Sequence, residues 1–314
     1  MRTPRNFDER PKPRTRRFAV GPSVSPSVDA FALDFVMFTQ DLQSSLLIHD
    51  ADESGVSITF EGTDEETTRA KHICALLDEH LYHRRDSVLK AVSKVVSYLA
   101  YSGRALFEIV RDADGQVADL SQFPLHGTWL VCGNCMQVAP AGAVNTAESR
   151  YVFLRRADLW RIDMPRELGG YDGHRKLLAN LSRWPSLGPK FYRKDMEVGH
   201  WPKDFVIKDY RRAYEMNRYR LTRKWGWSGR DWHPEYITEY YQFYRLLTFR
   251  WATEVLRRHV IEEFNILFRR LGIASSIRVS GLPSPEFILD ARSRMQRGEI
   301  DFAEASKITA PPLH

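Results

Sequence analysis

One long helical pattern in the last third of the sequence constrains the fold more than any other feature. Apolar side chains recur at near-helical spacing from Glu235 to Leu271, and Gly272 then ends the run. At about 1.5 Å per residue such a helix reaches roughly 50 Å. Because a helix of that length carries a long apolar stripe, the pattern predicts lateral packing partners. The stripe consists of Tyr240, Phe243, Leu247, Trp251, Val255, Val260, Leu267 and Leu271.

The chain upstream of this helix predicts an α+β fold. A helical pattern extends from Asp64 to Ser102, and Gly103 ends it. The next segment, Arg104 to Val110, alternates as a strand does, and turn residues 112–115 connect it to a second strand, which predicts a β-hairpin. We therefore expect mixed helices and short β-hairpins. Further strands are expected at residues 127–131, 151–154, 158–164 and 275–279, and a last helix is expected after Ser284.

Changes in composition divide the chain into four regions and favour two folded lobes. Residues 1–28 are basic and rich in proline, which predicts a flexible arm. Residues 29–168 predict an α+β lobe with a helix and a β-hairpin. Residues 169–234 form an irregular segment rich in Arg, Trp and Tyr, in which we expect one helix near 174–184. Residues 235–314 predict the long helix, a strand and a carboxyl-terminal helix.

Composition limits the classes of function. The 43% of apolar residues exclude a wholly disordered chain, and a net charge of +6 favours an anionic partner. Three cysteines cannot form a disulfide framework, so a reducing compartment is expected. No membrane span is expected, because the most apolar helical run is interrupted by Lys90 and Lys94. Phosphate-binding, dinucleotide-binding and common hydrolase motifs are missing, which predicts no enzyme and no cofactor.

A segment that alternates cations with aromatic residues is the main candidate for a functional surface. Guanidinium groups bind phosphates, and aromatic rings stack on bases, so the segment predicts contact with nucleic acid. The same residue types are enriched in protein interfaces, so a contact with a neighbouring subunit is the alternative. The candidate residues are Arg211, Arg212, Arg218, Arg220, Arg223, Lys224, Trp225, Trp227 and Arg230.

Two metal sites are weaker alternatives. Cys132 and Cys135 form a C-x-x-C motif that could bind zinc together with His72 and Cys74, although thiols in an apolar stretch are often only packed. A metal-dependent nuclease would need clustered carboxylates, but adjacent acidic residues on a helix usually form a solvated face. The candidate carboxylates are Asp158, Asp163, Glu262 and Glu263.

Three segments together resemble the portal proteins of tailed bacteriophages. The first is the helix 87–102, followed by Gly103, a strand that carries Glu108, and the turn that ends at Gly115. The second is the strand 157–163, followed by Gly169-Gly170 and a helix. The third is 298–305, with Pro311-Pro312 beyond it. Asp301 departs from the family pattern, which prefers Ser or Thr at that position.

The resemblance implies a portal-like wing and a long stem helix in a closed ring of about twelve copies of the chain. Such a ring is a conduit for double-stranded DNA at a capsid vertex, in the virion or the host cytoplasm. The implied partners are other copies of the chain, the DNA, the packaging terminase, the capsid and a head-tail adaptor. The alternative is a nucleic-acid-binding protein that forms no ring and uses segment 211–230.

Overall fold

The computed structural model describes residues 11–15, 32–44, 56–77, 87–138, 150–182, 206–229 and 238–309. The helices of these segments are α1 (Leu33–Ser44), α2 (Asp64–Ala75), α3 (Ser87–Ser102), α4 (Gly170–Leu181), α5 (Ile207–Thr222), α6 (Glu239–Arg270), α7 (Pro285–Gln296) and α8 (Phe302–Thr309). The strands are β1 (Ser57–Glu61), β2 (Arg104–Arg111), β3 (Val117–Gln122), β4 (Thr128–Val131), β5 (Asn134–Val138), β6 (Tyr151–Leu154), β7 (Leu159–Asp163) and β8 (Ser276–Ser280).

The strands form three small antiparallel sheets. β1 pairs with β8, β2 lies between β3 and β7, and β5 lies between β4 and β6. The predicted hairpin is β2–β3, and Asp112 Oδ1 closes its turn by accepting hydrogen bonds from the backbone N–H groups of Asp114 and Gln116. Separate helices around antiparallel sheets confirm the predicted α+β class.

Strand β2 joins two hydrophobic cores because it is buried on both faces. Ala105, Phe107 and Ile109 face the main core, which the helices cover. Leu106 points the other way, into a smaller core between this sheet and sheet β4-β5-β6. The middle sheet is therefore a layer between the helices and the third sheet.

The main core does not divide the chain where composition predicted. The ring centroids of Trp160 on β7 and Phe264 on α6 are 5.0 Å apart, and the Phe107 ring on β2 is 5.1 Å from that of Trp160. The α+β lobe and the carboxyl-terminal region thus share one core, and the expectation of two lobes is not met in the described residues. The apolar pattern of residues 29–168 shows that these residues need a covering helix. It does not show that this helix comes from beyond residue 235.

The long helix α6 has its packing partners within the chain. It contains 32 residues, and its start agrees with the predicted start to within a few residues. The helix begins after Thr238 because Thr238 is its N-cap, with Oγ1 accepting a hydrogen bond from the Tyr241 N–H. α7 and α8 cover its first half, and α3, β7 and β8 cover its second half. Of the predicted apolar stripe, only Tyr240 is exposed. The expected stem stripe is therefore not available to a neighbouring subunit.

The segment expected to be irregular contains a second helix. Besides α4, which was predicted near 174–184, residues 207–222 form α5. Its charged and aromatic composition hid the helical period, because the buried residues of α5 are Arg218 and Thr222 rather than aliphatic residues. Trp225 and Trp227 follow α5 directly and enter the main core.

Part of the proline-rich arm is docked. Residues 11–15 lie against β2, where the buried carboxylate of Glu108 accepts hydrogen bonds from both backbone N–H groups of Arg14 and Thr15. The Arg14 Nε and the Thr15 hydroxyl also donate to it, at 3.1 and 2.7 Å. Arg14 reaches on to Asp158 at 2.9 Å. Within the predicted arm, Arg14 and Thr15 therefore supply the donors that the buried acid needs.

A fully buried histidine gives the fold a predicted pH dependence. Burial lowers the pKa of His174 to about 4, although its hydrogen bond to the Ala100 carbonyl favours the protonated form. The unfolded chain binds the proton near pH 6.5, so the free energy of unfolding should fall by up to about 3 kcal/mol as the pH drops from 6.5 to 4. Urea denaturation at a series of pH values measures this. His174→Gln should flatten the curve in that window, and identical slopes would contradict the assignment.

Candidate interaction surfaces

The predicted Arg/Trp surface separates into a buried part and an exposed part. Arg218, Trp225 and Trp227 are each no more than 3% exposed. The Trp225 and Trp227 rings meet Phe38 of α1 edge-on, at centroid distances of 5.4 and 5.5 Å. These three residues cannot contact a nucleic acid from inside the core, so their assignment to that surface is wrong.

The buried part connects α5 and the residues after it to α1 and α6. Arg218 forms an ion pair with Asp34 of α1 at 3.2 Å and donates to the Ser228 carbonyl. Its guanidinium also lies 4.6 Å from the centre of the Tyr214 ring. The indole N–H of Trp227 donates to Asp41 at 2.9 Å, and its carbonyl accepts from Arg245 of α6. The interleaving of cations and aromatics therefore builds the interior here, as cation–π and ion-pair contacts do in protein cores.

The exposed part is a group of cations on α5 and in the two residues that follow it, and we call this group the α5 row. Arg211, Arg212, Arg220, Arg223 and Lys224 are all exposed, and none of them forms an ion pair with another described residue. Lys208, missed by the sequence interpretation, precedes Arg212 by one helical turn and extends the row. Arg230 lies outside the described residues. A row of exposed positive charges attracts a polyanion.

A second group of cations lies at the carboxyl end of α6. Arg270 Nη2 donates to the carbonyl oxygens of Arg156 and Leu159, both at 3.0 Å. Burial lowers the pKa of Arg270, and the positive charges of Arg156 and Arg111 lower it further, whereas Glu263 opposes the shift. Cations this close together create a locally positive potential. No sequence pattern indicated this group, because the three arginines come from three distant segments.

The C-x-x-C motif is a hairpin turn. Cys132 and Gly133 form the two-residue loop between β4 and β5, and both have positive φ angles, of 50° and 79°. This is the backbone of a type I′ turn, which explains why glycine follows Cys132. Cys135 then points into the smaller core, and Cys132 is exposed at the turn.

The four proposed zinc ligands do not come together. Cys74 is packed in the main core and Cys135 in the smaller one. Burial raises the pKa of the Cys74 thiol to about 12 and that of Cys135 to about 11, with Glu108 adding to the latter shift. Among the residues that the structure describes, no group of three or more His, Cys, Asp or Glu side chains could hold a metal ion. The zinc alternative, with His72 and Cys132, therefore has no supporting geometry.

The nuclease alternative has no supporting geometry either, since three of its four carboxylates form ion pairs with arginines and no metal-binding group of acidic residues is found among the described residues. Asp158 meets Arg14, and Glu262 meets Arg269, both at 2.8–2.9 Å. Asp163 forms ion pairs with Arg104 and Arg161, which lower the pKa of Asp163 although its burial opposes the shift. Glu263 lies 4.0 Å from the His259 imidazole. The arginine contacts of Asp158, Asp163 and Glu262 are structural ion pairs, not an open metal site.

Sheet β4-β5-β6 presents an apolar face to solvent. Alternate residues on its three strands point away from the smaller core, and the exposed ones are large and apolar. They are Trp129, Val131, Met136, Tyr151 and Phe153. Alternation alone could not identify this face, because apolar residues lie on both sides of these strands.

No protein-family model matches the chain, and no curated protein matches it. No helix among the described segments is both long enough and apolar enough to cross a membrane. The exposed surfaces of the molecule are therefore the guide to its function.

Proposed function

We propose that the chain is a portal-like ring subunit through which double-stranded DNA passes, and that it acts without a catalytic step. The observation that carries this proposal is the packed unit at residues 87–122. Helix α3 ends at Ser102, Gly103 turns the chain with a φ of 74°, β2 follows, and the Asp112 turn returns it as β3. This is the order of elements that the resemblance to portal proteins implies.

The DNA contact that we propose is the exposed cation row of α5, without the buried residues 218, 225 and 227. Side chains such as Arg212 and Arg220 contact phosphates, which repeat regularly along any duplex. Contacts to phosphates carry no base specificity, so DNA can move past them. The proposed ring would be built from copies of this chain, with the terminase, capsid and head-tail adaptor docking on it.

Neutralising the row should weaken DNA binding without unfolding the protein. For Arg211, Arg212 and Arg220 changed together to Gln, we expect at least a tenfold loss of affinity for a random-sequence duplex. The slope of log K against log salt should become shallower by about 0.9 for each phosphate that the variant no longer neutralises. Fluorescence anisotropy at several salt concentrations measures both quantities.

The matched control removes the same charge elsewhere. Arg258, Arg269 and Arg278 are exposed and paired with Glu286, Glu262 and Glu61. Their triple Gln variant should retain most of the affinity. Equal losses in the two triple variants would mean that net charge alone drives binding, and the proposed contact would be rejected.

A nucleic-acid-binding protein that forms no ring is the second candidate. The observation that favours it is the intramolecular cover of α6, because a helix buried by α3, α7 and α8 needs no neighbouring subunit. This candidate keeps the cation row but predicts a native mass of one or two chains. Native mass therefore distinguishes the two proposals.

A further inference from the structure

The outer face of sheet β4-β5-β6 carries a straight row of large apolar side chains. In the antiparallel register, Trp129 on β4 is opposite Met136 on β5, and Met136 is opposite Phe153 on β6. Trp129 is 52% exposed, Met136 38% and Phe153 59%. Val131 and Tyr151 extend the face, at 60% and 61%. The inner face of the same sheet is covered by the smaller core.

The area of this face matches the apolar part of a specific interface. Three half-exposed aromatic side chains leave roughly 300 Å² in water, and Val131 and Met136 bring the total to roughly 450 Å². A standard interface covers about 800 Å² per partner, of which about 56–65% is apolar. The face therefore supplies about the apolar area that one side of a stable contact needs.

The strands of this face are uncharged, which favours an apolar occupant. β4, β5 and β6 contain no Asp, Glu, Lys or Arg, and the nearest cations are Arg150 and Arg155 beside β6 and Arg156, whose side chain lies against Gly133. The five large side chains of the face are best covered by another apolar surface. The chain itself carries one of matching size, which is this face on a second copy.

We infer that two copies of the chain pack these sheet faces against each other. A twofold axis along β5, between the two sheets, would put Trp129 of one copy opposite Phe153 of the other, twice, with the two Met136 side chains at the centre. Sheets packed in this way lie about 10 Å apart with strand directions within about 30° of each other. The row is self-complementary because its aromatic residues stand at its two ends.

This pairing goes beyond the proposed ring and is independent of it. A contact between identical patches closes at two copies, whereas a ring needs head-to-tail contacts between different patches. In a chain that also forms rings, the sheet faces would join rings in pairs. The pairing can therefore hold where the ring fails, and the ring can form where the pairing fails.

Thiol crosslinking at the centre of the row tests the arrangement in the full-length chain. In a Cys132→Ser background, Met136→Cys places a single accessible thiol next to the proposed axis. Cys74 and Cys135 stay unreactive because burial raises the pKa of each thiol, to about 12 and about 11, with Glu108 adding to the latter. A short bis-maleimide is the reagent, because facing sheets are too far apart for a disulfide.

We expect Met136→Cys to give a covalent dimer at low micromolar concentration. The control is Phe287→Cys in the same background, since Phe287 is 49% exposed on α7, outside this sheet. It should give little dimer. Equal yields from the two variants would overturn the inference.

Removing the aromatic ends gives a second readout. Trp129→Ser with Phe153→Ser should raise the dissociation constant of the pair at least tenfold by analytical ultracentrifugation, with an unchanged circular dichroism spectrum. If the double serine variant no longer forms rings and Met136→Cys gives no crosslinked dimer, the sheet face makes a head-to-tail contact. That result would overturn the face-to-face pairing. Weaker oligonucleotide binding at unchanged native mass would also overturn it. Crosslinked pairs without rings would keep the pairing and reject only the portal proposal.

Discussion

Gly226→Ala should destabilise the protein by about 3–5 kcal/mol, one of the two largest single-residue effects that we expect. Gly226 has a φ of 70° and lies where the chain crosses α6 between Trp225 and Trp227. An added Cβ would meet the Arg245 carbonyl oxygen and lie 2.6 Å from the Phe249 backbone nitrogen. Because both atoms belong to the α6 backbone, neither can move without bending that helix.

A second glycine separates the steric effect from the backbone effect. Gly115 has a φ of 76°, and an added Cβ there would meet no atom within 4 Å. Gly115→Ala should therefore cost only about 1–2 kcal/mol, which is the cost of the left-handed conformation. Guanidinium denaturation of both variants gives the comparison. Similar losses at the two positions would show that Gly226 does not approach α6 as closely as the structure has it.

Glu108→Ala should cost about 3 kcal/mol and release the docked arm. Among the described residues, four hydrogen bonds reach this carboxylate, from the backbone and side chains of Arg14 and Thr15. Without it, the buried Thr15 N–H and hydroxyl lose their acceptor, and each unmet donor costs about 1–3 kcal/mol. Urea denaturation measures the loss. Limited trypsin digestion should cleave near Arg14 faster than in the parent protein.

The control for Glu108 is an acid with a partner on the surface. Glu299 forms an ion pair with Arg297, and both side chains are about half exposed. Glu299→Ala should change stability by less than about 1 kcal/mol, as surface pairs do. If Glu108→Ala were equally mild and trypsin cleaved at the parent rate, the docked arm would have no structural role.

The elements that depend on local chemistry could be predicted from the sequence. The β2–β3 hairpin follows from its Asp-Gly turn, and α7 begins after Ser284 because its Oγ accepts the Phe287 N–H at 3.1 Å. In both cases the deciding contacts lie within a few residues of each other. Such contacts do not depend on the rest of the fold, so the local pattern is sufficient.

Long-range burial reversed several interpretations. Arg218 is charged and lies in a basic segment, yet it is buried because Asp34, far away in sequence, receives it. On α6, Arg250 and Arg257 are buried against Glu254 at 3.1 and 2.5 Å. Composition assigns such residues to the surface, since a buried charge is tolerated only with a partner that the sequence does not reveal.

The apolar outer face of sheet β4-β5-β6 escaped prediction for the opposite reason. Exposed Trp129 and Phe153 belong to the residue types that normally fill cores. The C-x-x-C spacing around the Cys132-Gly133 loop suggests a metal site, although its glycine also indicates a turn. If this loop is recognised as a hairpin, the pairing register of β4 and β5 follows from it. That register aligns the apolar side chains on the outer face of the sheet.

The native mass of the purified protein at low micromolar concentration, with negative-stain images of the main peak, tests the central proposal most directly. A portal-like subunit predicts rings of about twelve copies with a central hole, singly or joined in pairs. A stable species of one or two chains over the whole concentration range, still able to bind duplex DNA through the α5 row, would contradict the ring and favour the second candidate.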